Sequence, residues 1–156
     1  MAKKDAKMRA LSFAAVSILA LAAAVVPTIA NALRRWATEK LVAVGTTGEA
    51  IVVIRDSSLK AQPIPHSDSM FTRQQTSKYV GHAEVEIDVT GHGNRGQVSA
   101  QASQFETLPE TPTSAERQAA YTKVLNALMR DMSNNLRRGI NDHIGNFVVT
   151  APVISQ

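Results

Sequence analysis

The clearest pattern of hydrophobic and polar positions lies between His82 and Gln104. From His82 to Thr90 every second residue is apolar, and the residues between them include three carboxylates. The same alternation returns from Gln97 to Gln104, where valine and alanine alternate with serine and glutamine. A period of two is typical of a strand with one buried face. Because the glycine-rich segment Gly91–Gly96 separates the two runs, we predict a β-hairpin with one apolar and one polar face.

Two further segments repeat their apolar residues at the three- and four-residue steps of an amphipathic helix. The first is short and runs from Leu33 to Val44. The second follows Thr113–Glu116, which has the spacing of a capping box, and it extends to Ile144 before Gly145 ends it. The apolar stripe of this long helix comprises Tyr121, Val124, Leu125, Leu128, Met132, Leu136 and Ile140. Both helices therefore have an apolar side to bury.

The remaining segments complete the expected architecture. Ala50–Ile54 is a continuous β-branched run, which is typical of a central strand buried on both faces. Ser57–Lys78 contains prolines and serines and is expected to be mostly loop, whereas Phe147–Val149 forms a last short strand or packs against the sheet. A one-sided sheet and two one-sided helices bury each other best in two layers. We therefore predict an α+β two-layer sandwich, in which a small, mostly antiparallel sheet packs against one short and one long amphipathic helix.

The N-terminal segment has the features of an export signal. A positively charged segment at 3–9 is followed by an uncharged run from Ala10 to Val26, and Pro27 precedes the small residues Ala30-Asn31-Ala32. We predict cleavage after Ala32, which divides the chain into a signal at 1–32 and a single periplasmic domain at 33–156. An uncleaved inner-membrane anchor is the alternative, although the run is at the short end of what spans a bilayer. Either way the domain lies outside the cytoplasm, because positive charge stays inside.

Composition narrows the possible functions. Residues 1–32 contain four of the 17 basic and one of the 13 acidic residues, so the net charge of +4 falls to +1 beyond them. Nucleic-acid binding is not expected, since no basic stripe interleaved with aromatic residues remains. The sequence has no cysteine. This excludes disulfides, thiol catalysis, thiolate metal sites and lipid attachment through an N-terminal cysteine.

No motif of a catalytic or cofactor site is present in the sequence. The four histidines do not include a pair at the four-residue spacing that places two metal ligands on one helix face. On the polar strand face, His82 shares its side with Glu84 and Glu86, so a weak metal site or a hydrolase is a minor alternative to a solvated strand face. We expect no enzyme activity and no cofactor.

Two features are candidates for contact with a partner. Met70 and Phe71 form an apolar island inside the predicted loop. The long helix carries a basic side that includes Arg130, Arg137 and Arg138. This side is either a solvated helix face or a contact surface for an acidic partner or for acidic lipid head groups.

Three segments also carry a resemblance to known proteins. They are LRRWATEKLVAVGTTGEAIVVIRDSSL (33–59), FTRQQTSKYVGHAEVEIDV (71–89) and ERQAAYTKVLNALMRDMSNNLRRGINDHIG (116–145). In the order of their predicted elements and in general sequence character, these segments resemble small exported proteins and lipoproteins of alphaproteobacteria. The layout is similar in turn to that of the LPS-assembly lipoprotein family and of auxiliary lipoproteins of ABC-type transporters. Those lipoproteins begin at a lipidated cysteine that this chain lacks. The resemblance implies a non-enzymatic accessory role and gives no site residues.

The leading hypothesis is a periplasmic accessory or binding module that docks onto an envelope assembly or transport complex. Its docking surface would be a sheet edge, the Met70-Phe71 loop or the basic side of the long helix. The alternative is a bitopic structural subunit of a secretion or respiratory complex, held in the membrane by an uncleaved N-terminal helix.

Overall fold

A computed structural model of the chain describes residues 9–11, 15–20, 27–43, 47–64 and 75–150. In this part of the chain a four-stranded sheet carries two helices on one face, and a smaller three-stranded sheet lies beside it. The predicted α+β two-layer sandwich is therefore confirmed. Met70 and Phe71 lie outside the described residues.

The elements follow one another in a simple order. They are β1 (Arg9–Leu11), β2 (Ala15–Ala20), α1 (Pro27–Lys40), β3 (Val42–Ala43), β4 (Glu49–Pro63), β5 (Gln75–Gly91), β6 (Asn94–Pro109), α2 (Ser114–His143), a 3₁₀ turn (Gly145–Phe147) and β7 (Val148–Thr150). The main sheet has the order β2-β4-β5-β6, and the small sheet has the order β3-β1-β7. In the main sheet β2 runs parallel to β4, whereas the other neighbours are antiparallel.

The predicted hairpin is confirmed, and its strands extend beyond the alternating segments 82–90 and 97–104. β5 and β6 stay paired down to Gly91 and Asn94. The loop between them is His92-Gly93, where φ is 51° and 77°. Two positive φ values in a two-residue loop match the type I′ turn, whose twist fits that of the flanking strands.

The predicted loop from Ser57 to Lys78 is wrong at both ends, where the chain is strand. β4 continues to Pro63 and pairs with β5 from Ser77 onwards. The register shifts between Ile54 and Asp56, and beyond this bulge Ser57 and Leu59 are buried with 3% and 8% of their surface exposed. The bulge interrupts the simple alternation, so the apolar pattern along the sequence does not show that the strand continues.

The short helix begins earlier than predicted. α1 starts at Pro27 and ends at Lys40, whereas the sequence pattern predicts a helix from Leu33 to Val44. Proline fits the first position of a helix because its missing N–H has no partner there anyway. Ile29 and Ala30, which the sequence assigns to the signal, are 0% and 1% exposed and pack in the core.

The core lies between the helices and the inner face of the sheet. α2 buries Ala120, Val124, Leu128, Met132, Leu136 and Ile140, one residue at each step of four. These side chains pack against the inward residues of β4, β5 and β6 in a continuous cluster. The predicted apolar stripe and the capping box of Thr113 and Glu116 are both confirmed.

Candidate functional site

α2 has four lengthwise rows of side chains, since its contacts repeat every four residues. The buried row faces the sheet. The row toward α1 contributes Tyr121, Leu125 and Met129 to the margin of the core, and it continues to Ser133, whose hydroxyl accepts a hydrogen bond of 3.0 Å from Trp36 Nε1. Partial burial against the core and the contact with α1 at Trp36 therefore occupy this side of α2.

The row toward β6 is also engaged. Lys123 Nζ lies 2.8 Å from Glu106 Oε1, and Asn135 Nδ2 donates to the Gln101 carbonyl at 3.0 Å. Gln104 donates to Asp131 on the same side. Since β6 is an edge strand of the main sheet, these side chains cover part of the edge that the sequence offered as a docking surface.

The fourth row, which we call the outer row, faces solvent along the whole helix. Its members are all exposed: Gln118, Thr122, Asn126, Arg130, Asn134, Arg138 and Asp142. None of them is apolar. The outer row contains two of the three arginines predicted as partner contacts, about 12 Å apart along the axis, and the third, Arg137, is exposed directly beside it.

These arginines are weakly engaged within the protein. The side chain of Arg130 is 72% exposed, and its Nε lies 3.6 Å from Asp131 Oδ1. Arg137 donates to the neutral amide of Asn134. Arg138 has no side-chain hydrogen bond or ion pair with any residue in the described ranges. Their charges are therefore largely available to an external acidic group.

Among the described residues, the helices and the long strands of the main sheet carry net charges of opposite sign. The helices α1 and α2 together carry eight basic and four acidic residues, a net charge of +4. The strands β4, β5 and β6 carry four basic and six acidic residues, a net charge of −2. The helix layer therefore presents a positive surface and the sheet layer a negative one.

His82, Glu84 and Glu86, the minor candidates for a metal site, lie on the face of the sheet opposite the helices, as the alternation predicts. However, Glu86 is already bound to an arginine: Arg55 Nε and Nη2 donate to its two carboxylate oxygens, both at 3.0 Å. Gln97 Nε2 donates to Oε1 at 3.0 Å. The hydrogen bond from Arg55 lowers the pKa of Glu86 and raises that of Arg55.

His82 has a different acidic neighbour: its Nε2 lies 3.9 Å from Asp56 Oδ2, which is too far for a hydrogen bond. Among the described residues no three histidines or carboxylates are grouped as metal ligands. The geometry thus gives the minor metal hypothesis no support, and the partner of Glu86 in this structure is Arg55.

Sequence reasoning did not single out Phe105, whose exposed fraction of 62% is the largest among the described large apolar side chains. Lys78 Nζ lies 5.5 Å from the centroid of its ring. Extending the alternation of the hairpin by one residue beyond Gln104 places Phe105 on the polar face, so the signal was available. None of the described helices is long and apolar enough to cross a membrane.

Comparisons with known proteins find similarity at the level of structure. No protein-family profile matches the chain, and no curated protein matches it by sequence. A minor lipoprotein from Acinetobacter baumannii is similar with a TM-score of 0.49 and 12% identity, over 91% of this chain and 98% of that one.

Two other solved structures are similar to the chain. The rare lipoprotein B from Shewanella oneidensis gives a TM-score of 0.45 and 12% identity over 80% of this chain and 92% of its own. Lipoprotein B from Nitrosomonas europaea gives 0.45 and 19% identity over 90% and 91%. All three of these proteins are named as lipoproteins.

Proposed function

We propose that this protein is a non-enzymatic accessory module of a cell-envelope assembly or transport complex, and that it docks through the outer row of α2. The observation that carries the proposal is the exposure of Arg130 and Arg138 in a row without apolar residues, on the positive layer of a charge-divided domain. The proposed location is the periplasm, because the sequence predicts export.

The charge distribution favours the outer row over the other surfaces. The two flanking rows of α2 contact α1 and β6. In the outer row, Arg130 has one exposed ion pair with Asp131, and Arg138 has no ion pair with any described residue. A charged surface of this kind mainly speeds the association with an acidic partner and fixes its orientation. It contributes less to the binding free energy. The expected partner is therefore an acidic protein surface of the complex, bound reversibly and more weakly at high salt.

The test is a pair of charge reversals with the same change in net charge. In one variant Arg130→Glu and Arg138→Glu alter the outer row. In the control, Lys60→Glu and Arg95→Glu alter two exposed positions of the sheet layer. The fraction of protein that co-purifies with washed, detergent-solubilised envelope complexes is measured for each, after thermal unfolding confirms that both variants are folded.

We expect the outer-row variant to lose about tenfold or more of this association, because repulsion replaces attraction at the contact, and the control to keep it. Equal retention of both variants would contradict the assignment of the outer row. If the outer-row variant keeps its association with the complex but loses binding to protein-free vesicles of anionic lipid, the outer row is instead a contact for acidic lipid head groups.

A further inference from the structure

β4 is a central strand only because β2 lies beside it. Residues Ala15–Ala20 of β2 pair in parallel with Glu49–Ile54, residue by residue, whereas the opposite edge of β4 pairs with β5. In this paired stretch Val52 and Ile54 are each 1% exposed on the inner face. Val53, which points to the other face, is only 8% exposed. The apolar run that the sequence assigns to a central strand thus depends on β2 for its second neighbour.

The segment that follows β2 is equally part of the fold. α1 begins at Pro27, and its residues Ile29, Ala30 and Leu33 are 0%, 1% and 2% exposed in the main core. The bond between Ala32 and Leu33, where the sequence predicts cleavage, lies inside this helix. Cleavage there would therefore remove the buried residues Ile29 and Ala30 from the core.

From these contacts we infer that the folded protein keeps residues 15–32, as strand β2 and the first half of α1. Removal of residues 1–32 would leave the apolar stretch Ala50–Ile54 with a free edge. A long, uncharged β-branched edge of this kind promotes pairing with other chains. Strand β2, followed by α1 and the parallel strand β4, forms instead a complete βαβ unit.

The apolar composition of the N-terminal run has a second explanation in this arrangement. A parallel strand with helices nearby is apolar along its whole length, and Ala15–Ala20 contains no charged residue. Cleavage after Ala32 is not compatible with retention of β2, so on this inference the N-terminal segment directs export without being removed. The outer row of α2 is remote in sequence from these residues, so the docking surface and the retained segment are tested separately.

The absence of native cysteines makes a direct test possible. The full-length chain is produced as the double variant Ser17→Cys with Ile51→Cys, whose positions are register partners between β2 and β4. The control is Ser17→Cys with Ser99→Cys, because Ser99 lies on β6, two strands beyond β4. Both proteins are recovered from cells, oxidised mildly, and measured by intact mass and by mobility without reductant.

We expect the intact mass to include residues 15–32 and the first pair to form at least about tenfold more intramolecular disulfide than the control. Neighbouring strands bring the two Cα atoms within disulfide range, whereas three strand spacings are roughly 14 Å. A mass that begins at Leu33 would overturn the inference. So would a retained segment in which neither pair, or only the control pair, forms a disulfide.

A second measurement does not depend on cysteine chemistry. Ile18→Pro removes a backbone N–H within β2, whereas the control Glu110→Pro places the same residue type in the exposed bend that follows β6. We expect Ile18→Pro to lower the melting temperature of the purified full chain and Glu110→Pro to lower it less. Equal melting temperatures of both variants and the wild type would show that residues 15–20 do not pair with β4.

Discussion

At the scale of single residues, two glycines allow valines of the opposite layer to pack closely between α2 and the sheet. A Cβ atom built on Gly81 of β5 would lie 2.7 Å from Val124 Cγ1 of α2. A Cβ atom built on Gly139 of α2 would lie 2.6 Å from Val98 Cγ1 of β6. Each glycine thus allows a valine of the opposite layer to approach the backbone directly, and the interior has no spare volume there.

The contact at Gly81 gives a prediction for a single methyl group. Gly81→Ala forces Val124 to move within a packed core, and we expect it to destabilise the protein by about 1–3 kcal/mol. Urea unfolding measures the change. The control is Gly145→Ala, where the nearest atom to the new Cβ is 4.0 Å away. An equal or smaller loss for Gly81→Ala than for Gly145→Ala would contradict the close packing of α2 on β5.

At the scale of elements, α2 is the part of the structure that the sequence predicts best. Its capping box places Thr113 Oγ1 3.2 Å from the Glu116 N–H and Glu116 Oε2 2.8 Å from the Thr113 N–H. Both contacts are local, and so is the helical period, which explains why a pattern of residue types was sufficient. β4 was predicted with a wrong end because the bulge at Arg55 interrupts its alternation, while its continuation depends on pairing with β5 further along the chain. α1 was predicted with a wrong start because Ile29 and Ala30 are buried in a core formed largely by later residues.

The N-terminal cap of α2 is open to a direct test. Thr113→Ala removes the acceptor for the Glu116 N–H, and we expect a loss of about 1 kcal/mol in the free energy of unfolding. Thr122→Ala is a matched change inside the same helix. The Thr122 hydroxyl only donates to the Gln118 carbonyl one turn earlier, and alanine favours helix, so stability should stay the same or rise. Chemical denaturation followed by circular dichroism compares the two, and equal effects would rule out a stabilising cap.

At the scale of the whole molecule, one continuous core joins both helices to the main sheet. Trp36, the single tryptophan of the chain, lies in α1 and is tied to α2 through Ser133. Its fluorescence therefore reports the contact between the helices, whereas circular dichroism reports the secondary structure.

We expect these two signals to follow one cooperative unfolding transition in urea, with the same midpoint, because neither helix has a core of its own. Trp36 fluorescence and circular dichroism are recorded on the same samples. An earlier midpoint for Trp36 would show that α1 leaves the sheet before the rest of the domain unfolds. A variant lacking the Trp36–Ser133 hydrogen bond, Ser133→Ala, serves as the control for a local change of the fluorescence alone.

By itself the sequence determined the hairpin, the long helix, its cap and the two-layer arrangement, since each follows from a local period or from the need to cover an apolar face. It also identified Arg130, Arg137 and Arg138 as a basic side. Only the tertiary structure decided that Arg130 and Arg138 share a row left open by α1 and β6, and that Arg55 binds Glu86. It also placed Ala15–Ala20 beside β4. The physical reason is that strand pairing and ion pairs join residues distant in sequence, and one apolar run satisfies a membrane or a sheet equally well.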